Sequence, residues 1–468
     1  MPRRAAPLAA LLAAAALCTL GGLHALGHAD AIVPVLVSLR RFTPFYWEQE
    51  RYGMLVPLLA RPVSDPLANL LLQRFLTALA GLGAVALVAR HALGGREARL
   101  AGVFAAGLLL AAAPGPWLFE YLVDQPYGLS LALALGGLAI AAPEQGRPGP
   151  LRLAAGAALV LAAHWVNAAA GLVLLPLAVA RGLVAGREGL RRLATEAALL
   201  SGGLASGVLV LRLAPALAGG ALQTSLGFLP PAAWPGAWAA LVREAWLAGS
   251  AWAAALAACA AAGLALLAAD PARRPELPRT LLRAGALVAA AAAYAAFCGT
   301  LRWVAQNGHH WRYLAPSAVL VHVAAVALLA APLLGALLAF GWPSLARVRA
   351  DLERTTGRFT PALLAAGCDV VAGDYWSVWP AVWHVAWTRH ARGEPGTLHG
   401  LSHRAAPTLS AWRGRAGVRV CVPGGQEAIA ARWIARYGLA GEVSPVVLPA
   451  GGLPSTPWPD SNRSAGVK

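Results

Sequence analysis

The strongest constraint in this chain is a series of long, nearly uncharged apolar runs. A span of a bilayer core needs about 20 apolar residues in a helix. Runs of that kind occur at roughly 7–27, 68–90, 98–114, 127–143, 152–180, 194–214, 247–269, 281–300 and 314–341. In hydrocarbon every backbone polar group must be satisfied within the chain, so such runs can only be helices. The expected fold is therefore an all-α polytopic membrane bundle of about nine to eleven transmembrane helices, followed by a small α/β domain. The N-terminal run after Arg3 and Arg4 has the charged and apolar parts of a signal peptide. It reads here as an uncleaved first span, because the later spans need an oriented first helix.

Composition agrees. Of 468 residues, 58% are hydrophobic and 13% charged, about half the charged share of a typical soluble domain. The net charge of +17 could point to nucleic acid. No basic helix or aromatic-basic motif supports that, and arginine-rich loops on the cytoplasmic side explain the charge. Nucleic acid is thus excluded as a partner, and membrane lipid is expected.

The arginines also orient the spans. Segments 90–99, 147–152, 181–192 and 273–283 are arginine-rich and belong inside. Loops 28–66, 114–126, 215–247 and 301–313 then fall outside. This count works only if 152–180 crosses twice or re-enters. Its centre, His164-Trp165-Val166-Asn167, puts polar groups at membrane depth, where they usually face protein or a cavity. A break near Asn167 is therefore expected. Loop 28–66 is the exception, since it keeps Arg40, Arg41, Arg51 and Arg61 outside. Either these arginines bind an anion or they pair with nearby glutamates.

After residue 342 the composition changes. Segment 344–358 is basic and amphipathic, and 375–387 is rich in tryptophan. Val418–Val422 and Ser444–Leu448 read as strands, and Gln426–Tyr437 as a helix. Pro423-Gly424-Gly425 between them reads as a strand-to-helix turn in preference to a phosphate cradle. Residues 343–449 thus form the expected α/β domain, and 450–468 the composition of a disordered tail. Which side of the membrane the domain occupies depends on whether 314–341 is itself broken near Pro332 and Gly335. Of five cysteines, Cys18, Cys259 and Cys298 lie in apolar runs. Cys368 and Cys421 lie in the domain and would pair only in an oxidising compartment. None shows metal-ligand spacing.

The chemistry is concentrated in Phe45-Tyr46-Trp47-Glu48-Gln49-Glu50-Arg51-Tyr52-Gly53, just outside the first span. The other outer segments add Asp30, Glu120, Tyr121, Asp124, Gln125, Arg302, Gln306, Asn307, His309, His310, Arg312 and Tyr313. A carboxylate that takes a hydroxyl proton, with guanidiniums that steady a departing phosphate, suits transfer from a phosphate-activated donor. The bland alternatives are a solvated Glu48–Glu50 face, an ion pair with Arg51, and an aromatic belt. Adjacent His309 and His310 lack a third spaced ligand, so no metal site is assigned.

Three motifs resemble the GT-C superfamily of membrane glycosyltransferases. Tyr46–Gly53 is similar to a Trp-x-Gln-Asp-Arg-x-Gly pattern, with Glu50 in place of the aspartate. Arg312-Tyr313-Leu314-Ala315-Pro316 resembles an Arg-Tyr-Leu-x-Pro element at the start of a late helix. Gly373-Asp374-Tyr375-Trp376 lies in a domain behind the last span. The resemblance implies a polyprenyl-phosphate-linked sugar donor and transfer to an acceptor hydroxyl at the outer face of a bacterial inner membrane. Glu50 or Glu48 would be the catalytic base, and Arg51, Arg312 and Tyr313 would hold the donor phosphate. Asp30, Glu120, Asp124, Gln125, His164, Asn307 and His309 would line the substrate site. Glu120 or Asp124 would be the second acid that leaves room for a divalent cation. The family's acidic pair directly after the first span is reduced here to Asp30. The alternative functions are a transporter or flippase for a lipid-linked or anionic solute, or a non-catalytic assembly protein that docks through 375–387.

Overall fold

A computed structural model describes residues 2–20, 29–47, 49, 53–93, 105–107, 109, 117, 121–122, 125–143, 148–167, 170–184, 186–217, 227–269, 271, 275, 277–328 and 344–448. The chain is mostly helical, with one small parallel sheet. Helices α1 (Pro2–Leu20), α2 (Ala29–Leu39), α3 (Leu55–Ala60) and α4 (Pro66–Leu93) come first. Then follow α5 (Tyr127–Ala141), α6 (Pro150–Val166), α7 (Ala170–Val184), α8 (Gly186–Leu217), α9 (Trp234–Ala269), α10 (Leu277–Gly299), α11 (Arg302–Gln306) and α12 (Ala315–Leu328). Among the described residues, the segments Pro66–Ala92, Leu190–Val210 and Leu277–Gly299 are long and apolar enough to cross a membrane. Five shorter apolar helices of 10–17 residues accompany them. Most of the expected span 98–114, and the second half of 314–341, lie outside the described residues.

The run 152–180 is broken as its polar centre implies. Helix α6 stops at Val166, Asn167 leaves the helix with φ −155° and ψ 111°, and α7 begins at Ala170. The expected outer loop 28–66 is less of a loop than its sequence implies. It holds α2, whose residues between Asp30 and Ser38 are all apolar, and α3. Pro34 sits inside α2 and disguises it. Likewise α9 begins at Trp234, well inside the expected loop 215–247.

Small residues set the close crossings. A Cβ on Gly128 of α5 would lie 2.3 Å from Gly81 Cα of α4, so these backbones touch. Close backbone approach is what glycine provides where water cannot drive helices together. The start of α4 follows the usual rules: Asp65 Oδ1 accepts from Ala68 N at 2.5 Å, and Pro66 fills the first turn.

The C-terminal residues form α13 (Leu345–Thr356), α14 (Thr360–Ala365), β1 (Val370–Ala372), α15 (Tyr375–Arg392), β2 (His399–Leu401), α16 (Ala406–Leu409), β3 (Val420–Pro423), α17 (Glu427–Arg436) and β4 (Pro445–Leu448). The strands are parallel in the order β2-β1-β3-β4. Parallel neighbours need crossovers, which α15 and α17 supply. Asp374 caps α15 by accepting from Trp376 N, and Gly393 ends it at φ 65°, in the left-handed region. A disulfide joins Cys368 to Cys421, tying the entry to β1 onto β3.

One apolar cluster fills the helix bundle. The second crosses the expected domain boundary. It runs from α2, Tyr46, Trp47 and the start of α4 into β1, α15 and β3. Trp47 and Trp379 are fully buried in it, with ring centroids 5.4 Å apart. Arg41 Nη1 donates to Pro407 O at 2.6 Å, so this arginine clasps the C-terminal domain.

Three histidines make that domain acid-sensitive. Burial pushes His384 and His399 down to about 4 and, with Arg404, Arg436 and Arg432 adding to it, His403 down to about 3. In the unfolded chain each returns to about 6.5. Between those values the unfolded state binds more protons, so stability rises with pH and is lost as pH falls. The melting temperature of the full protein, followed by tryptophan fluorescence, is expected to drop from pH 6.5 towards pH 4. His403→Gln should flatten that slope.

Candidate functional site

A cavity of about 90 Å³ lies where α2, the 45–54 loop, α4, the start of α5, segment 303–313 and the C-terminal domain meet. Its described polar lining is Asp30, Tyr46, Gln49, Gln73, Arg74, Thr77, Gln125, Tyr127, Trp303, Arg312, Tyr313 and Arg404. Ala31, Pro34, Val56, Pro57 and Leu70 form an apolar side.

Asp30 stands in the first turn of α2, where the helix dipole favours a carboxylate. Tyr375 Oη donates to Asp30 Oδ1 at 2.6 Å. Tyr46 Oη lies 2.9 Å from Tyr375 Oη. Each phenol has one hydrogen, and that of Tyr375 goes to Asp30, so Tyr46 donates to Tyr375. Burial, with Asp30 and Tyr46 beside it, holds the Tyr375 hydroxyl well above the usual phenol range and keeps it a donor. Arg312 Nη1 approaches Asp30 Oδ2 at 3.9 Å. The Arg312 guanidinium also lies 5.2 Å from the Tyr313 ring centroid, and its Nη2 donates to Tyr313 Oη at 3.2 Å. The imidazole of His310 is pushed down to about 4 by burial and then by Arg312, so it is neutral and its Nδ1 accepts from Arg312 N at 3.2 Å.

Arg404 enters from the carboxyl end of β2. Its φ is 71°, rare for a side-chain-bearing residue. Its guanidinium lies 4.4 Å from the Tyr46 ring centroid and 5.1 Å from that of Tyr375. With its amide oxygen turned towards it, Gln49 accepts from Arg404. On α4, the two hydrogens of Asn69 Nδ2 are shared among Ser38 Oγ, Ala60 O and Val63 O at 2.9–3.0 Å, while Gln73 Nε2 donates to Asn69 Oδ1 at 2.7 Å. These bonds fix the wall from which Arg74 reaches the cavity.

The loop at 45–53 is anchored on the broken helix. Phe45 pairs with Gly53 across the loop. Gly53 N donates to Trp165 O at 3.0 Å, and Trp165 Nε1 donates to Pro44 O at 3.1 Å. A Cβ on Gly53 would lie 2.6 Å from Trp165 O and 2.8 Å from its ring. Gly53→Ala is therefore expected to cost about 1–3 kcal/mol, the range for overpacking, read as a lower thermal midpoint of the purified protein.

The structure brings together Asp30, Gln125, Arg312 and Tyr313 from the expected set. It does not bring His164, Asn307 or His309 to the cavity. His164 is packed against Gly171 and Gly203, with Nδ1 2.7 Å from Val160 O. Asn307 Nδ2 donates to Trp303 O. His309 has φ 55°, and burial, offset in part by Glu244, holds its imidazole below the ordinary range. Glu48, Glu50, Arg51, Glu120 and Asp124 lie outside the described residues. Among the described residues no group of three or more His, Cys, Asp or Glu could hold a metal ion.

Three further site residues are Arg74, Tyr375 and Arg404. The signal for Arg74 was present, since Gln73-Arg74 interrupts an apolar run and ionisable groups in such runs are usually functional. Tyr375 stood in the third motif, Gly373–Trp376, without a role at the site, and Arg404 had no local signal.

Comparison with family models, curated proteins and solved structures finds no match to this chain. The site therefore has to be read from its own geometry.

Proposed function

We propose that this protein is a membrane glycosyltransferase that moves a sugar from a polyprenyl-phosphate-linked donor to an acceptor hydroxyl at the outer face of the bacterial inner membrane. The observation that carries the reading is the meeting of the Asp30 carboxylate with Arg74, Arg312 and Arg404 in one cavity. Asp30 takes the acceptor proton, and the guanidiniums hold the phosphate that departs from the sugar. The apolar side formed by Ala31, Pro34, Val56, Pro57 and Leu70 suits the lipid chain of the donor. The fold in this reading is a polytopic GT-C-like bundle. Glu48 and Glu50 flank the cavity residue Gln49 in sequence and remain proposed partners in proton transfer, as Arg51 does in phosphate binding.

The Cys368–Cys421 disulfide supports the side of the membrane. Disulfides persist in oxidising compartments and are rare in the cytosol. Cavity residues from the expected outer segments pack with the domain that carries this disulfide, which supports placing both on the outer face.

The test is direct. The purified protein is reconstituted in vesicles with radiolabelled polyprenyl-phosphate hexose and a water-soluble acceptor fraction. Label is expected to leave the lipid with release of polyprenyl phosphate. Uptake of solute into the vesicles with no glycosyl product would instead establish a transporter.

A further inference from the structure

We infer that the C-terminal domain is part of the binding site, and that Arg404 closes the cavity over the phosphate of a lipid-linked ligand. The ligand class rests on the transfer reading; the residue rests on geometry. Ligands of parallel sheets bind beyond the carboxyl ends of the strands. Here that edge is turned towards the membrane helices. Tyr375, just after β1, bonds Asp30 of α2, and Arg404, just after β2, lines the cavity beside Arg312. Arg74, Arg312 and Arg404 come from three separate segments: helix α4, the short 3₁₀ turn Trp311–Leu314 before α12, and the C-terminal domain. Convergence of three guanidiniums on one small cavity matches a phosphate, whose oxygens accept bidentate bonds in several directions. Arg404 is set for that task before the ligand arrives. Tyr46 and Tyr375 flank its guanidinium, and its unusual backbone turn fixes the direction of the side chain. A preorganised arginine loses less freedom on binding.

The experiment measures binding, not transfer. Undecaprenyl phosphate is titrated into the full protein in micelles, and tryptophan fluorescence is followed, since Trp303 lines the cavity. Arg404→Gln is expected to weaken binding about ten- to a hundredfold, the range for a hydrogen-bonded charge. Arg404→Lys keeps the charge but not the fork, and should lose at least about threefold. Arg436→Gln, an exposed arginine of the same domain, should bind as the wild type does. Melting temperatures without lipid show that each variant is folded. If Arg404→Gln does not fold, Arg404→Lys carries the comparison. Wild-type affinity in the folded Arg404 variant overturns the proposal. Inorganic phosphate is titrated in parallel. Weakening by the same factor for both ligands assigns Arg404 to the phosphate group itself, and weakening for the lipid alone assigns it to the lipid-linked form. Loss of lipid-phosphate binding in a protein that transfers no sugar would keep this inference and end the transfer reading. Transfer by a protein whose lipid-phosphate affinity ignores Arg404 would do the reverse.

Discussion

An Asp30→Asn protein is expected to fold and insert as the wild type does, yet lose sugar transfer by roughly 10²- to 10⁴-fold, the usual contribution of a positioned acid or base. Asparagine has nearly the shape of aspartate and still offers an oxygen to Tyr375 Oη, so the bond at 2.6 Å can persist. What disappears is the negative charge that takes a proton and faces Arg312 at 3.9 Å. The loss should fall on kcat, because a proton acceptor acts in the transition state. Glu50→Gln measured beside it separates the two carboxylates. Transfer within tenfold of wild type in Asp30→Asn, with Glu50→Gln inactive, would move the base from α2 to the 45–53 loop.

The second large effect concerns the disulfide. Cys368→Ser with Cys421→Ser opens a loop of 53 residues. By chain entropy such a closure is worth about 4 kcal/mol, a large share of the 5–15 kcal/mol that typically separates folded from unfolded states. The bond joins the entry to β1 onto β3, and β1 leads directly into Tyr375. Removing it should therefore lower both the melting temperature and the transfer rate at physiological temperature. In the native protein the two cysteines are expected to alkylate only after reduction, whereas Cys18 and Cys298 are free and buried. Full alkylation of Cys368 and Cys421 without reductant would refute the outer placement of the domain.

Much of the fold was legible because its signals are local. The break at Asn167 follows from three polar or aromatic residues, His164, Trp165 and Asn167, in an apolar run. Strands β3 and β4 and helix α17 follow from their β-branched and amphipathic patterns. Strands β1 and β2 escaped because three residues are too few to show a period, and β2 reads His-Gly-Leu. Helix α2 escaped because Pro34 and its short length resemble a loop entrance. The site divides in the same way. Asp30, Gln125, Arg312 and Tyr313 stand at the ends of apolar runs, so counting loops placed them on one face. Tyr375 meets Asp30 across 345 residues, and no spacing within a sequence encodes such a meeting. His164 misled for a physical reason: a polar side chain among helices can be satisfied by a carbonyl one turn back.

The shared core of Tyr46, Trp47, Tyr375 and Trp379 also sets a timetable for biogenesis. Tyr46 and its partner Tyr375 are 329 residues apart. At synthesis rates of about 5–20 residues per second, the first half of this core waits roughly 16–66 s for the second. During that interval Trp47 has no Trp379 to cover it, and Asp30 has no Tyr375. A nascent or truncated chain therefore presents an uncovered aromatic surface and carries an unfinished site. The cavity is complete only when the last domain has folded onto the first helices, so in the proposed reading no transfer can begin while the chain is being made.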